Sequence, residues 1–216
     1  MRPHDIRGRL VRRAGKCNIF VSDALAERLT AYYELLVRWN RKINLTSLDN
    51  LDEAIDRLLL EPLVASRFIP ASATLLLDIG SGGGSPAIPF KLGVPRLAVT
   101  MVEAKARKSA FLREAIRQLA IEGAQVETAR YEELLVRPEL HEAYHVLSLR
   151  AVRIEARVLT SLQAFLAPGG NILLFRGPGG PQIPAALVPP LEWTATHSLI
   201  ESLQSRLTIL TKRQIR

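Results

Sequence analysis

The stretch "LLLDIGSGGGSPAIP", residues 75–89, sets an apolar run, one acid, three consecutive glycines and two prolines within fifteen positions. Residues 75–77 read as a buried strand, and Ser85-Pro86 supplies the residue types that open a helix. The turn between them carries Gly80, Gly82, Gly83 and Gly84. Glycines there permit positive φ and let a ligand lie against the backbone without interference from a Cβ. A strand, a bare turn and a helix N-terminus together form a cradle for a small molecule.

Outward from this stretch, two patterns divide the chain. Before it, residues 22–41 begin with Ser22-Asp23 and place Leu25, Leu29, Tyr32, Leu36 and Trp39 at helical spacing. Leu51, Ile55, Leu58 and Leu59 predict another helix, interrupted or restarted by Pro62. After it, short apolar runs alternate with helical patterns, as in βα units around a mostly parallel sheet. Strands are expected near 75–79, 98–102, 124–128, 145–149 and 171–175, and helices near 86–92, 105–120 and 153–166. The segments 193–199 and 206–211 would close the sheet as an antiparallel pair, beyond a Pro/Gly-rich loop at 178–190. The expected class is α/β, with a helical N-terminal extension over 1–70 and a sheet domain over 71–216.

With 29 Lys+Arg against 21 Asp+Glu, the 216-residue chain carries +8 at a pI near 10.1, which favours a polyanionic partner. The excess lies at the ends: Arg2, Arg7, Arg9, Arg12, Arg13 and Lys16 oppose Asp5 alone, and Arg206, Lys212, Arg213 and Arg216 oppose no acid after residue 201. Basic termini that merely solubilise the chain are the competing reading. The single Cys17 excludes an intramolecular disulfide, and neither zinc-ligand spacing, a secretion signal nor a membrane-length apolar run is seen. A cytoplasmic, metal-free protein away from membranes is expected. The four histidines, His4, His141, His145 and His197, form no evident catalytic dyad.

Three ligands compete for the glycine turn. A triphosphate loop needs a lysine that is missing, and in the dinucleotide pattern G-x-G-x-x-G the last position falls on Ser85. The spacing Asp78-x-Gly80-x-Gly82-x-Gly84 resembles the first motif of class I S-adenosylmethionine-dependent methyltransferases, which have a Rossmann-like fold. Glu103, ending "AVTMVE", is placed to accept hydrogen bonds from both hydroxyls of a ribose, and "LAPGGNILLF" at 166–175 resembles the turn before a later strand of those enzymes. A nicotinamide site and a purely structural turn stay open as alternatives.

A further resemblance runs in order along the chain. "WNRKINLTSL" (39–48), "LLDIGSGGGSPAIP" (76–89), "KSAFLREA" (108–115), "ARYEEL" (129–134), "LRAV" (149–152) and "LLFRG" (173–177) resemble the glucose-inhibited division protein B family, with an echo at "SRLTILTKR" (205–213). That family methylates guanine N7 in small-subunit (16S) ribosomal RNA. The resemblance implies S-adenosylmethionine as cofactor, held by Asp78, Gly80, Ser81, Gly82, Gly84, Ser85 and Glu103, with Tyr131 and Glu132 near the adenine. It places Arg150 and Arg176 as catalytic residues at the transfer site, Arg150 touching the cofactor too, and Arg130 and Arg176 against RNA of the small subunit or the 30S particle. Arg153, near a strand end, and Arg206 are expected as further RNA contacts, and a monomer is expected. Arg157 is expected to be a solvated face paired with Glu155. This chain departs from the family pattern at Leu58 and Glu61-Pro62, where a histidine and then Asp-Ser are usual, at Ala87, and at Arg176, where lysine is common. A methyltransferase paralogue with another RNA or small-molecule substrate, and a non-catalytic RNA-binding assembly factor, are the alternatives; a dehydrogenase is the remote third.

Overall fold

The computed structural model describes residues 3–46, 50–150, 155–178 and 189–214, with side chains from Ile6. Among them, seven strands form one sheet: β1 (Leu75–Ile79), β2 (Ala98–Val102), β3 (Ala124–Glu127), β4 (Tyr144–Arg150), β5 (Leu166–Arg176), β6 (Leu191–Ser198) and β7 (Arg206–Lys212). Their order is β3-β2-β1-β4-β5-β7-β6. The first five are parallel, and β7 runs antiparallel between β5 and β6. After β1 the chain winds outward through β2 and β3, then returns to the other side of β1 with β4. This reversal opens a crevice at the carboxyl ends of β1 and β4, where open α/β sheets take their ligands.

Period-two alternation sends side chains of each central strand into two cores. Leu76, Val146, Leu173 and Phe175 enter one, and Leu77, Leu147, Ile172 and Leu174 the other. The first core also takes α1 (Pro3–Lys16), α2 (Asp23–Asn40), α3 (Leu51–Ile55), α4 (Glu61–Ala65), α5 (Ala87–Gly93) and α6 (Ala106–Gln118). The second is covered by α7 (Tyr131–Leu134) and α8 (Ala156–Leu162). Ile6, Leu10 and Ala14 therefore share one apolar cluster with the sheet residues Val99 and Met101.

Several local details go beyond the sequence expectations. In the basic N-terminus, Ile6, Leu10 and Ala14, four apart, form a buried stripe on α1. Three of its charges are met within the chain, Arg7 by Asp23, Arg9 by Asp52, and Arg13 by Asp52 and the buried Asp56 at 2.5–2.9 Å. At the other end Lys212 is buried and donates to Glu142 and to the carbonyls of Gln163 and Leu166, while Arg213 pairs with Glu192. Helix α5 starts at Ala87 with Pro86 as its cap residue. Strand β5 begins at Leu166, ahead of the expected 171, with a register shift opposite Tyr144 and Val146 that absorbs Pro168-Gly169-Gly170. Helix α8 ends at Leu162, four residues before the expected limit, and the expected loop over 178–190 lies mostly outside the described residues.

Candidate active site

The glycine turn leaves β1 with Gly80, Gly82 and Gly84 at φ 72°, 53° and 88°. At Gly84 no side chain fits: a Cβ would come 2.6 Å from Ile88 Cδ1 and 3.1 Å from Leu112 Cδ2, both buried. Gly80 and Ser81 donate their N–H groups to the Val102 carbonyl, tying the turn to the end of β2. From above, Tyr32 on α2 donates its hydroxyl to the Gly83 carbonyl at 2.6 Å. The Tyr32 ring is fully buried, and burial pushes its phenol far up, so the hydroxyl stays a neutral donor.

Two carboxylates border the turn. Asp78, in β1, is 1% exposed; its Oδ1 accepts from Ser148 Oγ at 2.5 Å, from the β4 residue opposite it, while Oδ2 has no partner. Burial raises its carboxyl to about 6, against the Ser148 and Ser81 hydroxyls beside it, which favour the charged form. Glu103, just past β2, is also buried, but both of its oxygens are held: Oε2 accepts from Gly82 N at 2.9 Å and Oε1 from Lys105 N at 2.8 Å. Each oxygen keeps one lone-pair direction for a further donor. The Ser81 hydroxyl bonds the Asp78 carbonyl, and the Ser85 hydroxyl reaches across to the Leu58 carbonyl.

Arg150 ends β4 beside this turn. Nη1 lies 2.7 Å from Glu61 Oε2 and 2.6 Å from the Arg57 carbonyl, and the guanidinium carbon sits 4.5 Å over the Phe175 ring. Burial disfavours its charge while Glu61 and Asp78 favour it, and the guanidinium remains a cation. Nε and Nη2 are buried without a partner. Further along the same rim, Arg176 ends β5 directly opposite Arg206 at the start of β7. The two line a groove of about 730 Å³ with Gly177, Ser198, Glu201 and Gln204. Like charges paired across a ladder repel, and an anion between them would relieve that. Arg57 Nη1 lies near Gly177, which adds a third cation to this rim.

The expected residues thus spread along one edge of the sheet. Asp78, the glycine turn and Glu103 lie together at the ends of β1 and β2, with half-buried Tyr131 and exposed Glu132 on α7 beyond β3. Arg150, Arg176 and Arg206 lie at the ends of β4, β5 and β7. Arg130 is exposed before α7, and Arg153 lies outside the described residues. Arg157 is exposed and paired with Glu155, as expected. The sequence reading missed Tyr32, Arg57 and the role of Glu61 in holding Arg150; helical spacing flagged Tyr32 as core, and nothing local signals contacts so distant in sequence. His141 contacts the Leu135 carbonyl, His145 accepts from Leu75 N, and His197 stacks on Phe68. Among the described residues no group of three His, Cys, Asp or Glu could hold a metal ion, and no helix is long and apolar enough to cross a membrane.

A family model described as rRNA small subunit methyltransferase G (GidB) matches residues 25–180. The chain is 37% identical over 151 residues to the ribosomal RNA small subunit methyltransferase G of Halorhodospira halophila, covering 70% of this chain and 69% of that protein. It is 38% identical over 171 residues to the protein of the same name from Xanthomonas axonopodis pv. citri, covering 79% and 77%. Among solved structures, a SAM-dependent methyltransferase from Aquifex aeolicus superposes with a TM-score of 0.55 at 11% identity, covering 74% of this chain and 93% of that one. The last likeness is one of fold, the class I Rossmann-like fold expected from the glycine turn.

Proposed function

The chain belongs to the rRNA small subunit methyltransferase G family, and from that premise we propose that it transfers a methyl group from S-adenosylmethionine to guanine N7 of small-subunit (16S) ribosomal RNA. The observation that carries the site assignment is a group of buried atoms left without partners at the crevice: one carboxylate oxygen of Asp78 and the Nε and Nη2 of Arg150, with Arg176 Nε further along the rim. An acceptor and a two-pronged cation side by side match the ammonium and carboxylate of an amino acid, which is how the donor molecule ends. The residues present fit that group.

S-adenosylmethionine supplies an electrophilic sulfonium methyl. Around it, Gly80, Ser81, Gly82 and Gly84 offer backbone without Cβ atoms, and Ser85 anchors the end of the turn. Glu103, already oriented by Gly82 and Lys105, has lone pairs left for the two ribose hydroxyls. Tyr131 and Glu132 flank the position of the adenine. Guanine N7 presents a lone pair and no proton, so the chain has to align and desolvate the acceptor and needs no general base. This agrees with three histidines engaged in structural contacts.

Arg150 and Arg176 are the transfer-site residues in this reading. Arg150 fixes the amino-acid end of the donor, and Arg176 holds a flanking phosphate or the guanine O6, which leaves the N7 lone pair open to the methyl group. Arg206 and Arg130, and Arg153 by its sequence position, extend the basic track for RNA. The first 70 residues act as an extension that covers the donor side of the crevice, and the remainder as the methyltransferase domain. The protein works as a monomer in the cytoplasm, on small-subunit RNA or the 30S particle, without a metal, since the acceptor lone pair needs no Lewis acid.

Replacing the ribose acceptor tests the donor site. Glu103→Ala should weaken S-adenosylmethionine binding at least tenfold by calorimetry, two charge-assisted bonds being worth about 1.5 kcal/mol or more together. Undiminished binding would refute the assignment of Glu103.

A further inference from the structure

Residues 51–65 form one continuous helical path through α3, a π-helical turn (Asp56–Leu60) and α4. Insertions of this kind concentrate at functional sites. The Glu61 N–H donates to the Asp56 carbonyl, five residues back. In that register the next N–H, of residue 62, would serve the Arg57 carbonyl, and in an α-helical register it would serve that of Leu58. Residue 62 is proline and has no N–H.

Both carbonyls are taken by groups from outside the helix. Leu58 O accepts from Ser85 Oγ, at the end of the glycine turn, at 2.9 Å. Arg57 O accepts from Arg150 Nη1 at 2.6 Å, and Glu61 Oε2 takes the same nitrogen at 2.7 Å. Nη1 is thus held on two sides, by the carbonyl through a hydrogen bond and by the carboxylate as an ion pair. Phe175 supports the guanidinium plane from below. What remains is the Nε/Nη2 edge, the side on which an arginine meets a carboxylate with two parallel bonds, and both of its nitrogens are buried without partners. Glu61 is 3% exposed at its side chain, so this pairing is an interior one, with little room for the guanidinium to turn.

We propose that Glu61, together with the Arg57 carbonyl that Pro62 leaves open, is a positioning residue that fixes Arg150 so that its Nε/Nη2 edge is reserved for the carboxylate of the methyl donor. The inference rests on the donor-site reading above and deepens it. It gives Glu61-Pro62, a departure from the usual family pattern, a specific task.

Two ligands separate positioning from folding. S-adenosylhomocysteine carries the amino-acid end; 5′-methylthioadenosine lacks it and keeps the nucleoside. By calorimetry, Glu61→Gln should weaken S-adenosylhomocysteine roughly tenfold, the scale of one lost charge-assisted contact, and leave 5′-methylthioadenosine unchanged. Glu61→Asp, which keeps the charge, should recover most of the loss. Pro62→Ala is the second variant: it restores an N–H that competes with Arg150 for Arg57 O, so it should reproduce the ligand-selective loss, with unchanged 5′-methylthioadenosine binding showing that the nucleoside site is still folded. Equal weakening of both ligands, or no change in either, would overturn the positioning role. If the parent binds neither compound, the donor-site reading fails and the inference falls with it.

Discussion

At the scale of single residues, the crevice holds charged groups under restraint. Asp78 is the clearest case, because burial raises its carboxyl from 3.8 to about 6 while Ser148 and Ser81 oppose the shift. The folded protein therefore keeps a proton that the unfolded chain releases above about pH 4, so stability declines as pH rises from there to about 6, the slope following the proton excess of the folded state. Donor binding has the opposite dependence. If Asp78 receives the ammonium of the donor it must first be ionised, so S-adenosylhomocysteine affinity should be level near pH 7 and fall towards tenfold per unit below about pH 6, with a proton released on binding. Calorimetry in two buffers of different ionisation enthalpy reads both quantities, and Asp78→Asn should abolish the dependence. A flat profile in the parent would place the ammonium elsewhere. The sequence announced Asp78 and Glu103 through spacing from the glycines, since both lie on one βαβ unit. It could not announce Glu61, whose partner Arg150 is distant along the chain and visible only once the helical layer meets β4.

Among the elements, the turn between β1 and α5 is the most constrained. Gly84 combines a φ of 88° with a Cβ position 2.6 Å from Ile88 Cδ1. Gly84→Ala should cost about 2 kcal/mol in chemical denaturation, from strain at positive φ and core displacement together, and should weaken donor binding. Gly15 provides the contrast: it lies in α1 with nothing within 4 Å of a built Cβ. Gly15→Ala should stabilise by up to about 0.5 kcal/mol, less than the helix-interior difference between the two residues because Gly15 lies in the last turn of α1. The bounds of β1 and β2 are readable because both are short apolar runs, one ending in Asp78-Ile79 before a glycine and the other stopping at Glu103. Helix α1 was not, because its arginines masked a stripe of three apolar residues, and the salt bridges that neutralise them come from α2, α3 and the π-helical turn. Strand β5 outran its expected start because Pro and Gly, ordinarily strand breakers, are absorbed by an irregular register.

For the molecule as a whole, the charge of +8 is a poor guide to where RNA would lie until the internal pairs are removed. Arg7, Arg9, Arg13, Lys212 and Arg213 all face acids of the same chain. Arg176 and Arg206, side by side at the ends of β5 and β7, line the groove instead. Arg176→Ala and Arg206→Ala should each reduce the slope of log affinity for small-subunit RNA against log salt by about 1. Arg7→Ala should leave it unchanged, and a reduced slope there would return the N-terminus to the RNA surface. The crevice joins these halves, with donor-binding candidates along β1 to β3 and cationic acceptor candidates along β4, β5 and β7. Transfer of label from methyl-labelled S-adenosylmethionine to small ribosomal subunits lacking the modification, followed by mapping of the modified base, tests the central claim most directly. The account predicts label at one guanine N7 of the small-subunit RNA; no transfer by a protein that binds the donor, or label on a different atom, would contradict it.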